Sequence, residues 1–324
     1  MNRTDMLRSF SRAIGAAACG VALALPAAAE TLQLDPDSDL VGEMRSHRTV
    51  WEDTFALLAR HNGLGFIELV AANPGIDPWV PGKNVDVVLP TAHLLPDTKR
   101  KGIVINLPEQ RLYYFAENTV TTFPIGTGKQ GWETPLGSTK LVRKRANPTW
   151  TPPASVRAED PTLPAVVPPG PDNPLGEHAL YLGWPSYLIH GTNKPFGVGR
   201  RVSHGCIRLY PEDIEYLYEA VALGAPVEVI DQPIKLGWHG GDLYLEAHPN
   251  QLQLIEIEKF GHFKSEVAPP LETRILNAAR DKVALLDWDM IRTVLHERRG
   301  LPVRITGSRL ATRQWRDEND WPDN

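Results

Sequence analysis

The sequence is poor in the features that mark several other classes of protein. Its formal net charge is -5, so no global positive field is present to hold nucleic acid or an anionic membrane surface. Only 2 of its 324 residues are cysteine, too few for a disulfide framework. The apolar run from Ala13 to Leu25 is shorter than the roughly twenty residues that span a bilayer. We therefore expect a globular protein with no nucleic-acid partner and no integral membrane span after processing.

The N-terminus predicts export. Three arginines precede the apolar run, and Ala27-Ala28-Ala29 is the small-residue pattern of a signal-peptidase site. We predict a signal peptide over residues 1–29 and a periplasmic location, with lipoprotein processing at Cys19 or a retained N-terminal anchor as alternatives. Loss of Cys19 leaves Cys206 as the one remaining cysteine, in a compartment where thiols tend to be oxidised. Such a lone thiol is a buried apolar residue, a dimer bridge or a nucleophile.

Changes in apolar pattern divide the mature chain into four parts. A polar segment without a strong period comes first, then a small α+β module, then a strand-rich domain, then a small α/β C-terminal region. The predicted boundaries are 30–47 for this leader, 48–96 for the module, 101–231 for the strand-rich domain and 232–324 for the C-terminal region. In the last region His239, His248 and His262 are scattered, which indicates surface or capping histidines.

The module at 48–96 has two short helices between strands. Asp53-Thr54 precedes apolar residues at helical spacing, as at a helix N-terminus. A second apolar face ends at Asn73-Pro74-Gly75, and an apolar strand closes in Pro90. This layout resembles LysM, with Glu52 in place of that family's usual glycine before Asp-Thr. The resemblance implies glycan binding, and a purely structural cap is the alternative.

The domain at 101–231 is predicted to be mainly β with one packed helix. Residues 103–107 and 111–115 form a predicted hairpin, and further strands are expected at 120–125, 181–190 and 226–230. The helix begins at Pro211 and has Gly224 past its end. Residues 146–174 contain nine prolines and no period, which favours a long ordered loop of the kind that lines a site.

Two loop ends in this domain carry groups suited to nucleophilic catalysis. His190 ends an apolar strand, and Cys206 follows sixteen residues later, between Gly205 and an apolar residue. A thiol of ordinary pKa is only a few per cent ionised at neutral pH, so a histidine base and the nearby cation of Arg208 would activate it. Backbone N–H groups at Gly205 and Cys206 could receive an oxyanion. A structural cysteine and a zinc site made by His190, His204 and Cys206 are the alternatives.

The motif formed by these residues resembles the signature of the YkuD-type L,D-transpeptidases. It consists of His190-Gly191-Thr192 and Ser203-His204-Gly205-Cys206-Ile207-Arg208. Upstream, Gly126-Thr127-Gly128-Lys129 and Thr134-Pro135-Leu136-Gly137 resemble the family's two turns. The resemblance implies a catalytic β-sandwich, Cys206 as nucleophile, His190 as general base and the Gly191 carbonyl as the group that orients it. It also implies that His204 lines the catalytic site, with its share in proton transfer left open. Ser203, Gly205 and Arg208 are expected to bind substrate or oxyanion, and neither metal nor cofactor is needed. For Arg208, bracing of the cysteine loop and contact with a substrate carboxylate are both open.

The wider chain is similar to the ErfK/YbiS/YcfS/YnhG group of that family. This resemblance implies that the donor is a peptidoglycan tetrapeptide stem and that the acceptor is the C-terminal lysine of an outer-membrane lipoprotein. A diaminopimelate amine, giving a 3-3 crosslink, and water, giving a carboxypeptidase or hydrolase, are the alternative acceptors. A non-catalytic wall-binding protein and a papain-like peptidase are the remaining rivals; in the latter the cysteine precedes its histidine, whereas here the order is reversed.

Overall fold

The structure is a computed structural model that describes residues 29–265 and 270–307. The predicted signal peptide, apart from Ala29, and Cys19 lie outside the described residues. None of the described helices is both long and apolar enough to cross a membrane.

The first part of the described chain holds five short strands and two helices. They are β1 (Thr31–Gln33), β2 (Leu40–Val41), β3 (Arg45–Arg48), α1 (Phe55–His61), α2 (Phe66–Ala72), β4 (Asp86–Leu89) and β5 (His93–Leu94). The Thr54 hydroxyl caps α1 by accepting from the N–H of Leu57 at 3.3 Å, as its sequence predicts. Strand β3 pairs antiparallel with β4, and β2 pairs with β5. The polar segment at 30–47 thus contributes three strands to the fold.

The middle of the chain is built mainly of strands. They are β6 (Gly102–Asn106), β7 (Arg111–Ala116), β8 (Thr119–Pro124), β9 (Thr127–Gly128), β10 (Gly137–Ala146), β11 (His178–Leu182), β12 (Leu188–His190), β13 (Arg201–Ser203), β14 (Ile207–Arg208) and β15 (Pro226–Ile230), with helices α3 (Ala154–Glu159), α4 (Pro211–Ala220) and a 3-10 turn at Pro195–Gly197. Nine strands form one sheet in the order β1-β8-β7-β6-β15-β10-β11-β12-β14. Helix α4 packs on it through buried Ile214 and Leu217. The predicted fold class, mainly β with one packed helix, is confirmed.

Two strands differ from the sequence-based expectation. The strand predicted over 181–190 is two antiparallel strands, β11 and β12, joined by a turn in which Ser186 has a φ of 68°. Strand β10 has ten residues and was not predicted. Only Leu141 within it is buried, so the alternation of apolar and polar residues that reveals a half-buried strand is missing.

The C-terminal region forms a three-stranded sheet with helices. Its elements are β16 (Ile234–His239), β17 (Asp242–Ala247), α5 (Gln251–Phe260), α6 (Glu272–Ala279), a 3-10 turn at Arg280–Leu285, α7 (Trp288–Glu297) and β18 (Val303–Arg304). Its strand β17 reaches back to the N-terminal part, because Glu246 accepts from the N–H of Leu94 at 2.6 Å. His248 is buried and lies 2.6 Å from the same carboxylate, so its interpretation as a surface or capping residue is wrong.

Candidate active site

The pairing of two short strands brings His190 and Cys206 to one cavity. Strands β12 and β14 are parallel neighbours, and His190 lies opposite Arg208, two residues after Cys206. His190, Cys206 and Arg208 line a cavity of about 320 Å³, together with Trp132, Trp150, Pro153, Ser155, Val156, Pro174, Leu175, Pro185, Ser186, Tyr187, Ser203 and His204. The two loop ends that the sequence singles out therefore meet at this sheet edge.

The loop before Cys206 is fixed by hydrogen bonds and requires its glycine. The Ser203 hydroxyl donates to the carbonyl of Cys206 at 2.6 Å and accepts from the N–H of Gly205 at 3.1 Å. Gly205 has a φ of 96°, and a Cβ there would lie 3.0 Å from Cε1 of Tyr187. Thr134, from the upstream turn, donates to the carbonyl of Gly205 at 2.9 Å. The side chain of Ser203 thus fixes the loop through these two hydrogen bonds, and the N–H of Gly205 is used within the loop.

The ring of His190 is held by its neighbour's carbonyl. Nδ1 of His190 lies 2.6 Å from the carbonyl oxygen of Gly191, so Nδ1 carries the hydrogen and Nε2 the lone pair of the neutral ring. Burial and then the Arg208 cation lower the pKa of His190 to about 3, against the carbonyls of Gly191 and Leu175, which raise it. His190 is therefore neutral near pH 7 and available to accept a proton at Nε2.

The thiol of Cys206 is also neutral at rest. Burial raises the pKa of Cys206 above its ordinary value, although the backbone of Leu188 and the Arg208 cation act to lower it. Its Sγ lies 3.5 Å from the carbonyl oxygen of Ser186, which accepts from the thiol. A neutral thiol and a neutral imidazole thus line the same cavity at rest, and not a preformed thiolate–imidazolium pair.

Arg208 is a half-buried cation with unused donor capacity. Its Nε is buried and has no hydrogen-bond partner within the described part of the chain. Its side chain lines the cavity of Cys206 and also a second, larger one. A guanidinium in this position can bind a carboxylate that enters from either side.

His204 is turned toward an acid that the sequence did not single out. Its Nε2 lies 2.9 Å from Glu159, and its ring meets that of Trp132 edge to face at 4.8 Å between centroids. Glu159 also accepts from Nζ of Lys129 and from Nε1 of Trp132, each at 2.8 Å. Hydrogen bonds from Lys129, His204 and Trp132 lower the pKa of Glu159 to about 2. Nothing in the local sequence around Glu159 marks it, because its partners are 27 to 45 residues away.

The larger cavity adjoins the first and has about 800 Å³. His204 and Arg208 lie between the two, since both side chains line each of them. Its walls combine apolar residues of the proline-rich segment, such as Leu163 and Val167, with exposed Phe196. Charged residues of both signs line it as well: Lys129, Glu159, Asp160, Asp172, Lys194 and Arg200. The two cavities thus meet near the loop that carries Cys206.

One group of potential metal ligands lies elsewhere. Within the described ranges, the ligand atoms of His93, Glu109 and Glu246 lie within 4.8 Å of one another. However, Nζ of Lys235 lies 2.8 Å from Glu109 and 2.7 Å from Glu246, so an ammonium group already pairs with both carboxylates. We therefore interpret this cluster as a buried ionic network.

In sequence, the chain is similar to proteins of one family. Residues 100–229 match the YkuD family, described as the L,D-transpeptidase catalytic domain. The chain is 43% identical over 304 residues, 89% of its length and 92% of the relative, to the Escherichia coli K12 protein named "Probable L,D-transpeptidase YcfS". It is also 43% identical over 250 residues, 75% of its length and 80% of the relative, to "Probable L,D-transpeptidase YbiS" of the same organism. A solved catalytic domain of the Enterococcus faecium L,D-transpeptidase is 23% identical and covers 42% of this chain and 100% of that domain, with a TM-score of 0.33.

Proposed function

Because this chain belongs to the L,D-transpeptidase family, we propose that Cys206 forms a thioester with a peptidoglycan stem peptide and then passes the acyl group to an amine. The observation that carries the proposal is the shared cavity of Cys206 and His190, with Nδ1 of His190 fixed by the Gly191 carbonyl. That hydrogen bond leaves the lone pair of Nε2 to act as the base.

The first step acylates the enzyme. Sγ of Cys206 attacks the carbonyl of meso-diaminopimelate, the third residue of a tetrapeptide stem, while its proton passes to Nε2 of His190. The carbon–sulfur bond forms, the bond to the terminal D-Ala nitrogen breaks, and the imidazolium returns its proton to that nitrogen. Because burial and Arg208 disfavour imidazolium, we expect His190 to be protonated only while the tetrahedral intermediate exists. The N–H of Cys206 is our candidate oxyanion donor, since that of Gly205 donates to Ser203.

The second step resolves the thioester. An acceptor amine loses its proton to His190, attacks the carbonyl and displaces the thiol, so one histidine is acid and base in turn. We propose the C-terminal lysine of an outer-membrane lipoprotein as the acceptor, on the strength of whole-chain similarity to the ErfK/YbiS-like group. Asp160 and Asp172 are carboxylates on the larger cavity that an acceptor ammonium can contact, beside the cations Lys194 and Arg200. A diaminopimelate amine or water would use the same thioester.

Arg208 is proposed to bind a carboxylate of the stem peptide. Its buried Nε has no partner within the described residues, and the guanidinium lies at the boundary of both cavities. His204, held by Glu159, also lines the site and contributes to shaping it. No metal or organic cofactor enters this scheme.

The remaining parts fit a protein of the cell wall. We propose a periplasmic location after removal of residues 1–29, with processing at Cys19 as the alternative. The 48–96 module is proposed to hold glycan near the catalytic domain. Its two exposed tryptophans, Trp51 and Trp79, are suited to stacking on sugar rings.

Product analysis tests the proposal. Purified protein is incubated with disaccharide-tetrapeptide, with and without a lysine-terminated lipoprotein peptide, and products are weighed by mass spectrometry. We expect release of D-Ala and a peptide-linked product in the wild type, and neither in Cys206→Ala, which should stay folded. Acylation by a carbapenem gives a second readout, since the mass shift should vanish in Cys206→Ser. Undiminished D-Ala release in Cys206→Ala would refute the assignment.

A further inference from the structure

The proline-rich segment 146–174 has a fixed base. Near its two ends Trp150 and Val167 exchange backbone hydrogen bonds of 2.9 and 2.8 Å. Asn173 is fully buried, and its side-chain amide donates to the carbonyl of Pro148 at 2.7 Å. The base is therefore held by buried and paired backbone groups.

The tip of this segment, residues 153–165, is attached differently. Across the residues that the structure describes, all hydrogen bonds and ion pairs from the tip to the rest of the chain end on Glu159. Their donors are Lys129, Trp132 and His204, at 2.8, 2.8 and 2.9 Å. The other polar contacts of the tip, such as Asp160 with Thr162, lie within it. Within the described residues, the carboxylate of Glu159 thus makes all the polar contacts between the tip and the rest of the chain.

The tip forms part of the wall of the Cys206 cavity. Pro153, Ser155 and Val156 form part of the wall of the cavity that holds Cys206, and Val156 also lines the larger cavity. Among these, Val156 is buried. Two of the three donors, Trp132 and His204, line the same cavity, and His204 precedes Cys206 by two residues. Displacement of the tip would therefore open the Cys206 cavity on one side.

We propose that Glu159 is a positioning residue that holds the tip of the 146–174 segment against the Cys206 cavity and so controls the access of large molecules to the sulfur of Cys206. The proposal rests on the proposed function only in that this cavity receives the substrate. Ion pairs at partly exposed sites are individually weak, but three donors on one carboxylate form a network, and loss of that carboxylate removes all three at once. The tip would then move away from the Cys206 cavity, while the hydrogen bonds at the base of the segment stay in place.

The accessibility of the Cys206 thiol tests this role of Glu159 without any need for catalytic activity. Full-length protein with Cys19→Ser leaves Cys206 as the one thiol, and its rates of modification by small iodoacetamide and by bulky fluorescein maleimide are compared. The variants are Glu159→Ala and Lys129→Gln, and the matched control is Glu219→Gln, which removes an exposed carboxylate from α4. Trypsin cleavage after Arg157, which is exposed in the tip, reports opening independently.

This role of Glu159 predicts a selective effect on the bulky reagent and on cleavage in the tip. In Glu159→Ala the maleimide rate and the cleavage rate after Arg157 should rise at least about threefold, with a smaller rise in Lys129→Gln. The iodoacetamide rate should change little, and Glu219→Gln should resemble the parent. About 0.5 M salt should raise maleimide reactivity in the parent but not in Glu159→Ala, because the ion pairs are screened. Equal maleimide-to-iodoacetamide ratios in the parent and Glu159→Ala would overturn the proposal, whether or not the protein proves to be a transpeptidase.

Discussion

The hydroxyl of Ser203 donates to the carbonyl oxygen of Cys206 at 2.6 Å and closes the loop that carries the proposed nucleophile. The hydroxyl oxygen of Ser203 also accepts from the N–H of Gly205, so one small side chain satisfies two backbone groups of the turn. Ser203 thus has a structural role in the motif, because its hydroxyl holds the backbone of the cysteine loop. A residue without a hydroxyl could not make both contacts.

Replacement of Ser203 should therefore affect both stability and acylation. Ser203→Ala leaves the N–H of Gly205 without an acceptor, at a cost of about 1–3 kcal/mol in the free energy of unfolding. Ser203→Thr retains the hydroxyl and should recover most of the stability and of the D-Ala release rate. Urea unfolding and a D-Ala release assay measure the two effects. A Ser203→Ala protein as stable and active as the wild type would contradict the assigned role.

The neutral resting state predicts an unusual pH profile for the thiol. Because burial raises the pKa of Cys206 and the pKa of His190 lies near 3, no thiolate–imidazolium pair should form between pH 5 and 8. The rate of alkylation by iodoacetamide should then rise continuously with pH through the alkaline range, as the thiolate fraction grows. A rate plateau between pH 5 and 8, of the kind given by an ion pair, would contradict the neutral assignment.

The sequence predicts the parts of this molecule that rest on local pattern. The hairpin of β6 and β7 follows from alternating apolar residues around a short turn, and the cap of α1 follows from Thr54. Strand β10 lacks such a signal, since nearly all its side chains are exposed or half-buried. Its place in the sheet is set by pairing with β11 and β15, which are distant in sequence.

The candidate site shows the same division. Cys206, His190 and Arg208 lie in recognisable motifs, and strand pairing brings them together. Glu159 and Trp132 could not be found from the sequence, because their roles depend on contacts across the proline-rich segment. The buried network around Lys235 was missed for a similar reason, since its charges look like ordinary surface residues until three parts of the chain enclose them.

Lys235 is expected to be important for stability. Its Nζ pairs with Glu109 and Glu246, and all three side chains are at most 1% exposed. Lys235→Met removes the cation and leaves two buried carboxylates, which should cost about 3–5 kcal/mol in the free energy of unfolding. The control is Arg48→Gln, which breaks a pair with Asp86 whose side chains are 67% and 66% exposed and should cost at most about 1 kcal/mol. Urea unfolding compares the two, and equal losses would contradict the prediction.

Glu109 should contribute to acid sensitivity. Burial alone would raise its pKa, but Lys235 and its other partners lower the pKa of Glu109 to about 2, from 4.5. Since the unfolded chain binds this proton more readily, the stabilisation is complete above pH 4.5 and is lost as the pH falls toward 2. Glu109→Gln should therefore lower stability at pH 7 but flatten its fall over that acid range, as followed by urea unfolding at several pH values. An unchanged slope would show that Glu109 titrates normally.

Arg208 offers the sharpest test of substrate recognition, because bracing and carboxylate binding predict different results. If the guanidinium binds a carboxylate, Arg208→Gln should lower kcat/KM for tetrapeptide donors about 10- to 100-fold, as for a lost charge-assisted hydrogen bond. Donors amidated in turn at the D-Ala carboxylate and at the free diaminopimelate carboxylate identify the partner. Amidation of the carboxylate that Arg208 binds should lower kcat/KM of the wild type by the same factor as Arg208→Gln does. The same amidation should not lower kcat/KM of the variant further. Arg208 also acts to lower the pKa of Cys206, so the iodoacetamide rate of the variant is compared at equal thiolate fraction. An equal loss toward iodoacetamide and toward the tetrapeptide would instead assign Arg208 to bracing the cysteine loop.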